Sequence, residues 1–209
     1  AQLAWRFREA AWSAELAVER TRPVLHAEIF TLGSMGEGVL YESATFTFYI
    51  SGAPVRTLRV RIPENRRNVE FSGRSIRSWS RNGDLWTLVL QERVLGSYTL
   101  LATFDQPLDY ESGDFRAGGV TAPDTESEVG YLVMSGDAHL SVAPKDLDPS
   151  YIPLDREEIP PAYGLLIQNP VAAAYKHLGP GREVTFAFTR FKTERLLDQV
   201  VDHASLETQ

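Results

Sequence analysis

Most of this chain alternates apolar and polar residues with a period of two, and this pattern constrains its fold more than any other feature. Between residues 57 and 62, Leu58, Val60 and Ile62 alternate with polar neighbours. The same alternation recurs in residues 45–50, 98–105 and 183–190. Because successive side chains of a strand point to opposite faces, each segment predicts a β-strand with one buried and one solvated face.

Turn residues separate these segments at intervals typical of sandwich proteins. The pair Asn82-Gly83 predicts a type I′ hairpin, because both central residues of such a turn take positive φ. A two-residue loop at this point would place Trp79 opposite Trp86. The stretches 106–128 and 144–162 are predicted to be long connections. We predict strands near residues 3–9, 12–21, 24–32, 39–51, 55–62, 68–72, 75–81, 85–92, 97–105, 129–135, 138–143, 163–168 and 182–191.

This density of strands predicts an all-β fold, a large antiparallel β-sandwich. One domain covers residues 1–193, since no stretch has the composition of a flexible linker. An alternative arrangement builds it from two packed halves, residues 1–108 and 119–193. Apolar residues at helical spacing make 194–209 a short C-terminal helix or tail, or the start of a following module.

Composition excludes several classes of protein. The net charge of -7 argues against a general nucleic-acid-binding protein, which is usually basic. The absence of cysteine excludes disulfides and thiolate metal sites. Apolar runs are too short to cross a bilayer, so the chain is not expected to span a membrane itself.

Motifs for catalysis are missing from the sequence. The glycine-rich segment 33–38 lacks the Lys-Ser/Thr pair of a phosphate-binding loop. None of the histidines lies in an HExxH motif, and no Gly-x-Ser-x-Gly elbow occurs. Ser135, Asp137 and His139 are close neighbours in sequence, which is more typical of a turn than of a catalytic triad. We therefore expect no catalytic residues.

Charged residues concentrate in two separate regions. A basic patch that could receive an anionic partner, or could simply protect a sheet edge, consists of Arg56, Arg59, Arg61, Arg66, Arg67, Arg74, Arg77 and Arg81. An acidic loop contains Asp109, Glu111 and Asp114. Calcium is the one cofactor that this loop suggests, although its spacing matches no EF-hand and a solvated loop is the simpler interpretation. If the two patches lie at opposite ends, neighbouring modules could meet head to tail.

Aromatic residues allow a second kind of binding. The tryptophans Trp5, Trp12, Trp79 and Trp86, together with the eight tyrosines, could stack on sugar rings, although tryptophan on alternating strands more often belongs to the core. Two or more coplanar rings on an open face would favour carbohydrate binding.

Three stretches together suggest a family. They are Arg56–Pro63 followed by 69–74 and Trp79, Gly119–Pro123 followed by 128–133, and 147–163 with its Ile159-Pro160 pair. Across residues 24–191 the chain resembles the β-sandwich portions of large, uncharacterised membrane-anchored bacterial envelope proteins. This resemblance implies a periplasmic or extracellular part of a longer, membrane-anchored chain, and it assigns no functional residues.

We therefore expect a non-catalytic scaffold or interaction module of a bacterial cell-envelope protein, which contacts a protein partner or neighbouring modules of the same chain. The first alternative is a carbohydrate-binding module with a polysaccharide ligand. The second alternative is a hydrolase that uses carboxylates of the acidic loop, which would require two acids in one cleft.

Overall fold

The computed structural model describes residue 15 and residues 21–191, apart from 37, 110, 111 and 138. This part of the chain confirms the all-β prediction. A 3₁₀ turn at Arg156–Glu158 and a four-residue helix, α1 (Pro161–Gly164), interrupt its strands. The strands are β1 (Val24–Met35), β2 (Val39–Arg61), β3 (Arg67–Gly73), β4 (Ile76–Asn82), β5 (Leu85–Pro107), β6 (Ser112–Gly118), β7 (Ser127–Ser135), β8 (Leu140–Asp146), β9 (Tyr151–Pro153), β10 (Val171–Leu178) and β11 (Glu183–Arg190).

The main sheet has eight strands in the order β3-β5-β2-β1-β7-β10-β9, with β4 pairing beside β3 on the same edge of β5. Strand β1 runs parallel to β7, and the other pairs in this sheet are antiparallel. The sheet is therefore mixed. The β1–β7 pairing also joins the two predicted halves, 1–108 and 119–193, in one sheet.

Strands β2 and β5 are long, and each merges two strands that the sequence analysis separates. Their register shifts between Ile50 and Thr57, where Gly52 has φ of 73°. A positive φ of this size is accessible to glycine at little cost, so the strand can turn a corner without ending. The segments on both sides of the corner contribute to one core, in which Phe46 and Leu58 are almost fully buried.

The second sheet has the order β6-β11-β8. Its inward side chains, such as Phe115 and Phe186, share a core with Leu132, Met134 and other residues of the main sheet. The alternation in β11 predicts which of its residues enter this core. The structure thus has the two packed layers of a sandwich.

Part of the outer face of the main sheet is covered by the segment that contains α1. Tyr163 stacks on Phe30 with ring centroids 4.4 Å apart, and Ile159 and Ile167 pack beside them. This cover lies over β1, β7 and β10. The outer face of β2, β5 and β3 is left open, and this face carries the candidate site.

Several local predictions are wrong. Residues 106–128 contain β6 and are not one long connection, and the strand predicted at 163–168 is instead the end of α1 and a turn. The proline-rich stretch 144–162 contains β9, while β10 was missed altogether. The strands predicted at 3–9 and 12–21, and the C-terminal helix predicted in 194–209, lie outside the described residues apart from Glu15 and Thr21.

The hairpin between β4 and β5 has a different register from the predicted one. Asn82 pairs with Leu85, so Gly83 and Asp84 form the turn, and Trp79 lies opposite Leu88 instead of Trp86. Gly83 has φ of 62°, whereas neither Asn82 nor Asp84 has a positive φ. A glycine with positive φ at the first central position is the pattern of a type II′ turn, so the type I′ prediction is wrong.

Candidate binding groove

The open face of the main sheet carries two neighbouring rows of side chains, each running across several strands. In the first row Leu32 of β1 pairs with Ser43 of β2, Ser43 pairs with Thr103 of β5, and Thr103 pairs with Glu70 of β3. Paired residues in a sheet point to the same face. Four strands thus bring together side chains that are far apart in sequence.

The second row lies two residues further along each strand. Ser34 pairs with Tyr41, and Tyr41 pairs with Asp105. Asn68 joins this row through a bulge in β3, where its φ is 51° and the register shifts. Its Nδ2 donates a hydrogen bond of 2.7 Å to Oδ2 of Asp105.

These two rows enclose a groove with a volume of about 390 Å³, which we call the Tyr41 groove. Tyr41 is 57% exposed, which is unusual for an aromatic side chain on a strand. Its ring lies against Gly36, where an added Cβ would come within 3.3 Å of Cε2. The ring is therefore supported on one side and open to solvent on the other.

A buried ion pair lies behind the groove, on the opposite face of the sheet. Glu42 stands between Tyr41 and Ser43 and points inward, where its Oε2 lies 2.5 Å from Nε of Arg66. Neither side chain has exposed surface. Burial raises the pKa of Glu42 to about 7, although the positive charge of Arg66 opposes the shift.

The ion pair connects the main sheet to β6. The backbone N–H of Gly118 donates to Oε1 of Glu42 at 3.1 Å. Arg66 Nη2 and Gln106 Nε2 both donate to the carbonyl oxygen of Arg116, at 3.0 Å and 2.5 Å. These bonds satisfy polar groups that water cannot reach, and they hold the residues preceding β3 in place beneath the groove.

Two further buried ionisable groups connect loops at one end of the sandwich. Glu128 accepts hydrogen bonds from the N–H groups of Ala122 and Gly181, and burial raises its pKa. His177 Nδ1 lies 2.9 Å from the carbonyl oxygen of Gly179, and burial lowers its pKa. Both side chains are occupied by backbone partners, as expected of groups that fix loop positions.

The structure divides the predicted basic patch. Arg66 is buried and does not belong to an exposed patch. Arg59 pairs with Asp124, and Arg61 pairs with Asp84 at 2.9 Å. Acidic side chains therefore interrupt the positive surface.

The other arginines of that patch have varied surroundings. Arg56 donates to the carbonyl oxygen of Leu90 at 3.0 Å, and the guanidinium of Arg81 lies 5.3 Å from the centroid of the Trp86 ring. Three more are exposed, namely Arg67, Arg74 and Arg77. An anionic partner of this region stays a prediction.

The predicted acidic loop lies near β6. Asp114 pairs with Lys145 at 2.6 Å, Asp109 lies beside Gly113, and Glu111 is outside the described residues. Within the described residues, no three His, Asp or Glu side chains converge in a way that could hold a metal ion. The calcium site stays a prediction.

The tryptophans do not form an exposed platform where the structure describes them. Trp86 is buried, and Trp79, which is 45% exposed, packs edge-on against Phe71. Trp5 and Trp12 lie outside the described residues. The exposed rings on the open face belong to Tyr41 and Tyr49, two of the eight tyrosines that could stack on sugars but that the sequence analysis does not single out. Both tyrosines occupy polar positions of the period-two alternation, and an aromatic residue at such a position predicts an exposed ring.

The comparisons with known proteins leave the family open. No protein-family model matches the chain, and no curated protein matches it in sequence. Remote structural likenesses occur with crystal structures of an M1 zinc metallopeptidase from Deinococcus radiodurans. A mutant bound to a Tyr-Ser-Ala substrate has a TM-score of 0.43 and 11% identity over 79% of this chain and 42% of that chain.

A second structure of the same enzyme has a TM-score of 0.42 and 10% identity, over 81% of this chain and 42% of that chain. The match thus spans less than half of the length of these neighbours. Likenesses at such scores assign no activity to this chain. Among the helices that the structure describes, none is long and apolar enough to span a membrane.

Proposed function

We propose that this chain is a non-catalytic interaction module of a bacterial cell-envelope protein, and that it binds its partner through the Tyr41 groove. The observation that carries this proposal is the groove itself. It combines an exposed aromatic ring with polar side chains from four strands, and its volume is about 390 Å³. Concave surfaces with an aromatic residue and a few convergent polar groups are the usual form of binding sites.

The rigidity of the groove supports the proposal. Ser43 and Thr103 lie on central strands, and both strands are paired on each side. The buried Glu42–Arg66 pair fixes the approach to β3 from behind. A surface that is already ordered loses little conformational entropy when it binds, so more of the contact energy contributes to affinity.

The roles of the buried ionisable groups support a non-catalytic function. Glu42, Glu128 and His177 have shifted pKa values, which is a property of many catalytic groups. Each of them contacts a structural partner: Arg66, two backbone N–H groups and a carbonyl oxygen. The shifts therefore follow from the burial of structural links.

Co-sedimentation with the insoluble cell-envelope fractions of Gram-negative and Gram-positive bacteria tests the proposal. We expect the chain to sediment with one of these fractions, and Tyr41→Ala to remain in the supernatant. Tyr49→Ala is the matched control, because Tyr49 is an exposed tyrosine of the same strand and face that does not line the groove. Equal behaviour of the two variants, or no sedimentation at all, would contradict the proposal.

A further inference from the structure

The Tyr41 ring is the first of three features that identify the chemistry of a ligand. It is 57% exposed and lies at the groove, supported by Gly36. A flat aromatic face that is open to solvent can stack on the apolar C–H face of a sugar ring, while its hydroxyl group stays hydrated. The ring loses little freedom on binding, because it already rests against the backbone.

The second feature is the set of hydrogen-bonding groups beside this ring. The groove presents the hydroxyl groups of Ser43 and Thr103, the carboxylates of Glu70 and Asp105, and the amide of Asn68. Hydroxyl and amide groups both donate and accept hydrogen bonds, and carboxylates accept them. A ligand that carries many hydroxyl groups matches this mixture, because each of its hydroxyls can also donate or accept.

The third feature is the charge of the groove. Its charged lining residues in the described part of the chain are carboxylates, Glu70 and Asp105 with Glu42 behind them, and no Lys or Arg belongs to the lining. A polymer that carries carboxylate, sulfate or phosphate groups would be repelled and would leave its charges unpaired. The lining therefore disfavours an anionic ligand.

The groove exposes little apolar surface, which argues against a protein partner. Leu32 is only 8% exposed, and Phe104, which pairs with the inward-pointing Glu42, belongs to the core on the other face of the sheet. Protein interfaces usually centre on apolar or aromatic anchors that enter well-packed pockets. This groove offers polar walls and a single aromatic ring instead of such a pocket.

We infer that the Tyr41 groove binds a neutral polysaccharide, with one sugar ring stacked on Tyr41 and neighbouring hydroxyl groups bonded by Ser43, Thr103 and Glu70. This inference rests on the proposed function, and it names the ligand of the same site.

Titrations of the ¹⁵N-labelled chain with four neutral tetrasaccharides, namely cellotetraose, xylotetraose, mannotetraose and chitotetraose, test the inference. We expect at least one of them to shift the amide resonances of the residues that line the groove. Tetragalacturonate, which is anionic, should not shift them. Absence of groove-centred shifts with every neutral tetrasaccharide, or equal shifts with tetragalacturonate, overturns the inference.

Variants test the stacking contact directly. Tyr41→Ala should weaken the binding of the tetrasaccharide about tenfold, whereas Tyr41→Phe should retain most of the affinity because it keeps the ring. Tyr49→Ala should bind like the original chain. Equal losses in Tyr41→Ala and Tyr49→Ala would show that the ring at position 41 is not the platform.

Treatment of the envelope fraction separates this inference from the proposed function. If a polysaccharide with vicinal diols is bound, periodate oxidation of the fraction abolishes co-sedimentation. If a chitin-type polysaccharide, which lacks vicinal diols, is bound, chitinase digestion abolishes it, and protease digestion abolishes it in neither case. If protease digestion abolishes it and periodate does not, the neutral-polysaccharide inference fails while the interaction module stands. If Tyr41→Ala sediments like Tyr49→Ala, the groove is not the binding site and both proposals fail.

Discussion

Glu42 and Arg66 form a fully enclosed ion pair, in which Oε2 of Glu42 lies 2.5 Å from Nε of Arg66 and neither side chain is exposed. The pair links β2 to the residues preceding β3. Through Gln106 and the carbonyl oxygen of Arg116, it also reaches β6. It therefore holds the rim of the Tyr41 groove against the second sheet.

Arg66→Met should destabilise the fold strongly at pH 8, because it leaves a buried carboxylate without its cation. Losses of this kind amount to about 3–5 kcal/mol. At pH 5 the loss should be smaller, since Glu42 can then bind a proton and become neutral. Urea unfolding at both pH values measures the free energy of unfolding.

Arg61→Met is the matched control for this experiment. Arg61 pairs with Asp84 at 2.9 Å, but its side chain is 47% exposed. Exposed pairs contribute about 0–1 kcal/mol, so the control should lose little stability. Equal losses in Arg66→Met and Arg61→Met would mean that the enclosed pair has no special role.

The titration of Glu42 should make the fold less stable as the pH rises. Its pKa is raised from 4.5 to about 7 by burial, so the folded state binds a proton more tightly than the unfolded state. This contribution is fully present below pH 4.5 and is lost as the pH rises through about 7. Glu42→Gln resembles the protonated side chain, and it should lack this contribution to the pH dependence.

The measurement compares the free energy of unfolding of the two proteins across this pH range. As the pH rises, the original chain should lose free energy of unfolding relative to Glu42→Gln. Glu70→Gln, a change at an exposed carboxylate, should give a curve parallel to that of the original chain. A constant difference between Glu42→Gln and the original chain would contradict the prediction.

Gly130 provides the space that the ring of His177 occupies. A Cβ added at Gly130 would lie 2.0 Å from Nε2 of His177, which no van der Waals contact allows. Gly130→Ala should therefore force the ring to move and destabilise the fold by about 1–3 kcal/mol or more. Chemical denaturation measures this loss.

A second glycine and a double variant serve as controls. Gly164 has no atom within 4 Å of an added Cβ, so Gly164→Ala should leave stability nearly unchanged. In His177→Ala the clash is absent, and Gly130→Ala should cost less in that background. Additive losses in the double variant would disprove the contact as the cause.

Tyr163 holds the α1 segment on the outer face of the main sheet. Its ring stacks on Phe30, and its hydroxyl group donates to a carboxylate oxygen of Glu28. Tyr163→Ala should lose about 3–5 kcal/mol of stability, as other truncations of large buried aromatic residues do. Tyr163→Phe keeps the ring and should lose about 1–2 kcal/mol through the missing hydrogen bond.

Thermal or urea unfolding distinguishes these two losses. Tyr49→Phe, which removes a hydroxyl group from a half-exposed tyrosine, should have almost no effect. If Tyr163→Phe were as destabilising as Tyr163→Ala, the hydrogen bond and not the stacking would hold the segment.

The alternation alone was enough to predict the strands and their buried faces along much of the chain. In β2, Phe46, Phe48 and Ile50 were predicted on one face, and their exposed fractions are 0%, 1% and 3%. In β11, Val184 and Phe186 follow the same rule. These predictions hold because side chains of a strand alternate whatever the strand pairs with.

Tertiary structure decided which strands pair and which polar residues meet. Glu42 occupies an inward position, but its partner Arg66 became evident only from the path of the chain before β3. The parallel pairing of β1 with β7 joins segments that many intervening residues separate, and period two is the same in parallel and antiparallel pairs. The groove depends on the order in which the strands pair, because four strands must lie side by side before Tyr41 and its neighbours share a face. Local pattern determines which face a side chain takes, whereas its contacts depend on the order and register of strands that are distant in sequence.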